Sequence, residues 1–353
     1  MTDAATGQRS HFQALKVPFD LKGIAAGALA YLALALGGEW LAGARFALDG
    51  GSSFNLSWSR GEPRWALPLL SFLVCAVFGV ASCRIAAMRI ARDEGTGLRE
   101  ALGFALANLG STLKAAGFLL LALLFFTAAN ALAGLVGGIP GVGAFFLPVL
   151  YPLVLVSTLI LFLLSFGATL GFPLVLASLA VERNGALDAV SRAFSYVYSR
   201  PIMFFFSMAS VGFIAILLLA CTLTMEGLAF STFSAGFPEE ESWEALARGL
   251  RRVSRAVLLL ELPEMGGIEG PAWFGSMVAW ACTMVFHLLL MGWVVYYMFG
   301  GATAAYFALR RDVDGTEDEE IWVAGEKEEG FGEAEGPEAA PGPEPDPGPD
   351  TAG

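Results

Sequence analysis

The sequence predicts an all-α protein: a polytopic membrane helix bundle of about six transmembrane helices, with short amphipathic helices at the interface. Three observations predict it. Long apolar runs occupy residues 23–48, 65–87, 115–136, 149–173, 202–224 and 273–309, and each meets or exceeds the ~20 apolar residues that cross a hydrocarbon core of about 30 Å. Hydrophobic residues make up 56% of the chain and charged residues 15%, with a mean hydropathy of +0.63, far from the balance of a soluble domain. The net charge of −12 is local: residues 312–353 hold 15 Asp and Glu against the single Lys327, so the apolar part is close to neutral and slightly basic. A low isoelectric point therefore says nothing about cationic partners of the whole molecule.

Residues 1–22 form a polar lead containing Lys16 and Lys22. A lead of that length is long for a signal peptide, and the apolar run continues past the small residues Ala42 and Ala44 through Leu48, so an uncleaved first span is expected. With the N-terminus inside, the inner segments collect 14 Lys and Arg and the outer ones seven, the positive-inside bias. Both termini are then expected in the cytoplasm. Between the second and third runs, Asp93-Glu94-Gly95-Thr96-Gly97 introduces Leu98, Leu102, Ala105, Leu109 and Leu113 at helical spacing. Between the fourth and fifth, Asn184-Gly185 introduces Leu187, Val190, Phe194 and Val197 in the same way. Glu100-Ala101-Leu102 with Ala105 matches Asp188-Ala189-Val190 with Ala193, so a span, a short helix and a span are expected to occur twice.

The expected outer loop, residues 225–272, carries a third amphipathic stretch from Trp243 to Leu260, with Arg248, Arg251, Arg252 and Arg255 on its polar face. The last run is 37 residues long. As a straight helix it would measure about 55 Å, so part of it is expected to bend or to lie outside the bilayer. Residues 312–353, rich in Gly, Pro and Glu, are expected to form a disordered cytoplasmic tail, because that composition cannot bury a core.

Ionisable residues at membrane depth are costly and mark function by default. Glu39 in the first run and His287 in the last are the two such residues, and they meet only if the last crossing begins near Phe286. With Thr127 and Asn130 they make up the candidate intramembrane polar site. The remaining hydroxyls at depth, and the Gly167/Gly171 pair, fit helix–helix packing. Cys75, Cys83, Cys221 and Cys282 show no ligand spacing and read as packing thiols. The chain has no GxSxG with a partner His, no HExxH and no paired carboxylates at depth, and only His11 and His287 as imidazoles. No catalytic residue, cofactor site or metal site is therefore expected, and the chain is not expected to be an enzyme. Membrane lipids are the expected partners, with protein partners or a homo-oligomer possible and nucleic acid excluded.

Cys83-Arg84-Ile85-Ala86 through Ala91-Arg92-Asp93-Glu94 to Phe104, Gly171-Phe172-Pro173 with Ala189 to Val197, and Leu309-Arg310-Arg311-Asp312-Val313-Asp314-Gly315 resemble an uncharacterised family of polytopic membrane proteins from planctomycete-type bacteria. More loosely, the repeated span and helix pattern is similar to the membrane domain of bacterial glycerophosphodiester phosphodiesterases. The resemblance implies a multi-span inner-membrane protein; the soluble phosphodiesterase barrel has no counterpart here, so no catalytic residue carries over. The reading from sequence is thus a non-enzymatic membrane-organising, lipid-associated or partner-subunit protein, the alternative being a small-molecule or lipid transporter with a mid-membrane site.

Overall fold

A computed structural model describes residues 20–42, 44–49, 53–58, 66–140, 143–182, 185–235, 270–319 and 321–322. Two units divide the chain, Met1–Ile321 and Trp322–Gly353. Most of the second unit, with the expected acidic tail, lies outside the described residues, as do residues 1–19 and the amphipathic stretch expected at Trp243–Leu260.

The first unit is an all-α bundle. Its elements are α1 (Leu21–Ala42), the strands β1 (Ala44–Asp49) and β2 (Ser53–Trp58), α2 (Ala66–Val74), a π turn (Cys75–Gly79), α3 (Val80–Arg92), α4 (Leu98–Ala107), α5 (Leu109–Gly137), α6 (Gly143–Glu182), α7 (Ala186–Ser199), α8 (Pro201–Ala235) and α9 (Gly270–Asp314). Five stretches are long and apolar enough to cross a membrane: Pro68–Arg92, Leu109–Gly137, Pro148–Glu182, Pro201–Glu226 and Trp273–Asp314. This is a membrane protein by that measure. The first apolar run ends earlier than expected, at Ala42, and its last residues enter an antiparallel hairpin pairing Ala44 with Trp58 and Asp49 with Ser53. The last run is uninterrupted: α9 is one helix of 45 residues, about 67 Å, longer than a hydrocarbon core is thick.

Around α9 the other helices take a consistent register. Gly27 on α1 sits against the Gly292 carbonyl, and Gly23 sits against the ring of Tyr296, so α1 runs antiparallel to α9 with glycine facing glycine. A side chain at either glycine of the first pair would push the backbones apart, which is why both positions lack one. On the opposite flank α8 buries Phe204, Val211, Ala215 and Thr222, a seven-four-seven spacing that presents one narrow stripe to α9. Toward the C-terminal end of α9 the bundle closes: α3 and the last part of α6 pack beside it, with Gly79 filled by Phe299 and Leu176. By contrast α5 and the first part of α6 lean mainly on each other, and their apolar side chains, Leu121, Phe125, Phe145 and Leu153 among them, stay exposed. That surface is the one the bilayer covers.

The two short helices behave alike, and most of the face that the spacing marks is turned inward. In α4 the fully buried residues are Ala101 and Ala105, with Leu98 and Leu102 part-buried and Leu106 facing outward. In α7 they are Ala189, Ala193, Tyr196 and Val197, with Val190 and Phe194 part-buried and Leu187 facing outward. Each helix follows a glycine cap in extended conformation, Gly97 and Gly185. Gly167 and Gly171 on α6 accept Phe194 and Val197 of α7, so this glycine pair serves a contact within the chain.

Candidate functional site

Three helices bring one polar group each to a single point inside the bundle. His287 on α9 has no exposed surface. Its Nδ1 lies 2.9 and 3.1 Å from the two carboxylate oxygens of Glu226 on α8, and its Nε2 lies 3.0 Å from the hydroxyl of Tyr31 on α1. The Tyr31 and His287 rings meet edge to face at 5.6 Å. Tyr31 is near the middle of α1, so the group sits about 15 Å from either end of that helix.

An ionised carboxylate accepts only, so with Glu226 ionised the imidazole donates from Nδ1 and leaves Nε2 facing the Tyr31 hydroxyl. Both ring nitrogens of His287 thus have a partner within hydrogen-bond distance.

Of the three expected site residues whose side chains are described, His287 takes part and Thr127 and Asn130 do not. Thr127 donates to the Leu123 carbonyl of its own helix at 2.8 Å, and Asn130 donates to Thr158 on α6 at 3.2 Å, so only Asn130 serves the α5–α6 pair. Glu39 lies on α1 two helical turns beyond Tyr31, about 12 Å along the axis, and the α1–α9 register sets it opposite Trp280 rather than His287; its side chain is outside the described residues. Among the described residues, the carboxylate that meets His287 is that of Glu226. Glu226 fell outside the site because the apolar run was ended at Thr224 and the acid was assigned to a loop, yet Leu228, Ala229 and Phe230 continue the run, and α8 continues with them to Ala235. An acid inside an unbroken apolar run was the available signal.

A second buried polar cluster closes the bundle at the end of α9. Glu182, at the end of α6, takes Arg192 of α7 at 2.9 Å, Arg310 of α9 at 3.1 Å and the Tyr306 hydroxyl at 2.8 Å. Nearby, Arg84 is 5% exposed, donates to the Ala180 carbonyl at 2.9 Å and lies over the Phe104 ring at 4.7 Å. Tyr196 donates to Asp314, and Arg200 pairs with Asp312 at 2.8 Å. Burial, then the bond to Asp314, raises the Tyr196 phenol above its ordinary value. This cluster fastens α6, α7 and α9 together and has every mark of a structural clamp.

No group of three or more His, Cys, Asp or Glu able to hold a metal occurs among the described residues. No family model matches the chain, and comparison with curated proteins and with solved structures finds no match.

Proposed function

We propose that the chain is a non-enzymatic, six-span protein of a bacterial inner membrane that moves a small molecule or lipid with the help of a proton held at Glu226, His287 and Tyr31. The carrying observation is the meeting of these three groups near the middle of α1, where an ionisable pair is costly to keep and marks ion pathways and relays. Secondary transporters place substrate and coupling-ion sites at similar depth, between helices that shift against one another. Here the proton sits at the joint of three such helices. The positive-inside count supports cytoplasmic termini, and the quoted motifs support kinship with the planctomycete-type family.

The test is a pH jump applied to proteoliposomes on a solid-supported membrane. Wild-type protein is expected to displace charge, and His287→Gln and Glu226→Gln to abolish the signal. Wild-type vesicles that stay silent between about pH 5 and 9 would remove the proton from the mechanism. A second reading, a lipid-associated or membrane-organising protein, is supported by the exposed apolar side chains of α5 and the first part of α6, Leu121, Phe125, Phe145 and Leu153 among them.

A further inference from the structure

Beyond Leu119 in α5 and before Leu174 in α6, no described side chain of either helix is buried. These halves of the two helices lean on each other as an apolar arm, suited to lipid everywhere but at one place. Asn130 of α5 donates to the Thr158 hydroxyl of α6 at 3.2 Å, and the pair lies on an open side of the arm, with Thr158 exposed and Asn130 half-buried. Leu155 and Phe162, on the same side of α6 as Thr158, are exposed. From Ala115 to Val181 no side chain is charged and Asn130 is the one carboxamide. It lies eight residues, about 12 Å, before Gly138 in the turn, and Thr158 lies seven residues, about 10 Å, beyond Tyr151. The pair therefore sits at hydrocarbon depth.

Its hydrogen bonds are incomplete. A carboxamide has two hydrogens to donate and an oxygen to accept, and a hydroxyl has one hydrogen to donate. One amide hydrogen goes to Thr158; among the described residues the other, the Oδ1 and the Thr158 hydroxyl hydrogen have no partner. Acyl chains offer none, whereas an amide that faces another helix binds across the contact.

A second copy answers both the chemistry and the depth. Two copies cross the bilayer in one orientation, so a two-fold axis along the membrane normal sets every residue level with its counterpart. Asn130 then meets Asn130, donor to acceptor and acceptor to donor. A different helix would have to carry its own polar group to that level. The surface of α5 allows the approach: Thr127 and Gly134, about a turn to either side of Asn130, are exposed, and a methyl added at Gly134 would meet nothing. A neighbouring helix can close on it to short range.

We infer that the chain forms a two-fold dimer through the open side of α5, with the Asn130 carboxamides of the two copies bonded to each other. The dimer rests on the membrane-spanning helices and is independent of proton-linked transport.

The experiment reconstitutes the full chain, labelled at its N-terminus with donor or acceptor dye, in phosphatidylethanolamine–phosphatidylglycerol vesicles and dilutes it with lipid. Energy transfer is expected to persist in dilute wild type, with two bleaching steps per particle. Asn130→Leu is expected to raise the dissociation constant tenfold or more, and Asn130→Gln, which restores a carboxamide, to recover most of the loss. Gly134→Leu fills space that is open in one copy, so it is expected to keep the helical content and still separate the pair. In a chain whose exposed thiols are removed by Cys221→Ser and Cys282→Ser, Gly134→Cys is expected to cross-link to itself on oxidation. Leu132→Cys, on the opposite side of α5 from Asn130, is expected not to. Wild type that is monomeric at every dilution, its Asn130 covered by lipid or by a different protein, would overturn the dimer. So would a dimer that Asn130→Leu and Gly134→Leu both leave intact, since another face would then hold it.

Discussion

Glu182 shows how much a single buried carboxylate can hold. It is the shared partner of Arg192, Arg310 and Tyr306, and the Arg310 side chain is only 4% exposed. Removing the acid leaves a buried cation short of its counter-charge, a loss of about 3–5 kcal/mol. Glu182→Gln is therefore expected to lower the unfolding temperature markedly in a detergent melt, and an unchanged melt would show that the cluster is not a clamp. Tyr196 gives a pH dependence with a definite sign. Its phenol is raised above the ordinary 10.0 by burial and by Asp314, so the folded chain keeps a proton that the unfolded chain releases. The stability from this group is complete below about pH 10 and is lost as pH climbs through the raised value. Tyr196→Phe is expected to flatten that alkaline slope, measurable as melting temperature against pH. At this scale the sequence was partly readable. His287 stood out because charge at depth is rare, whereas Glu226, 61 positions earlier, and Tyr31, 256 positions earlier, have no spacing that links them to it.

Among the elements, the α1–α9 contact is the most exacting. An added methyl at Gly292 would sit 2.5 Å from the Ile24 carbonyl and 2.6 Å from the Ala28 nitrogen, both backbone atoms that cannot swing away. Gly292→Ala is expected to cost about 1–3 kcal/mol by overpacking and to loosen the Tyr31–His287 bond as the helices part. Gly212→Ala, where an added methyl meets nothing, is the control and is expected to be silent or slightly stabilising. Length and apolarity foretold the long helices well, because the bilayer imposes one minimum length on all of them. They did not foretell where the helices end, since backbone hydrogen bonding carries α6 back to Gly143 and α9 on to Asp314, past the apolar limits.

For the whole molecule, the direction of the helices sets the topology. Lys22 at the start of α1 bonds Gly95 in the turn after α3, and Arg310 near the end of α9 meets Glu182 at the end of α6, so α3 and α6 both finish at the end where α9 finishes. On the proposed orientation, a reporter fused after Gly353 is expected to be active in the cytoplasm, and one inserted at Ile139, in the turn after α5, on the opposite side. Finding both on one side would overturn the proposed six-span arrangement.

Because α9 runs from Gly270 to Asp314 without interruption, it carries His287 and Arg310 on one stiff rod. Some 23 residues, about 34 Å, separate them. On the proposed reading, whatever draws the imidazole toward or away from its carboxylate is passed along this one continuous helix to the guanidinium and its Glu182 partner, so a proton event at one site would be felt as leverage at the other.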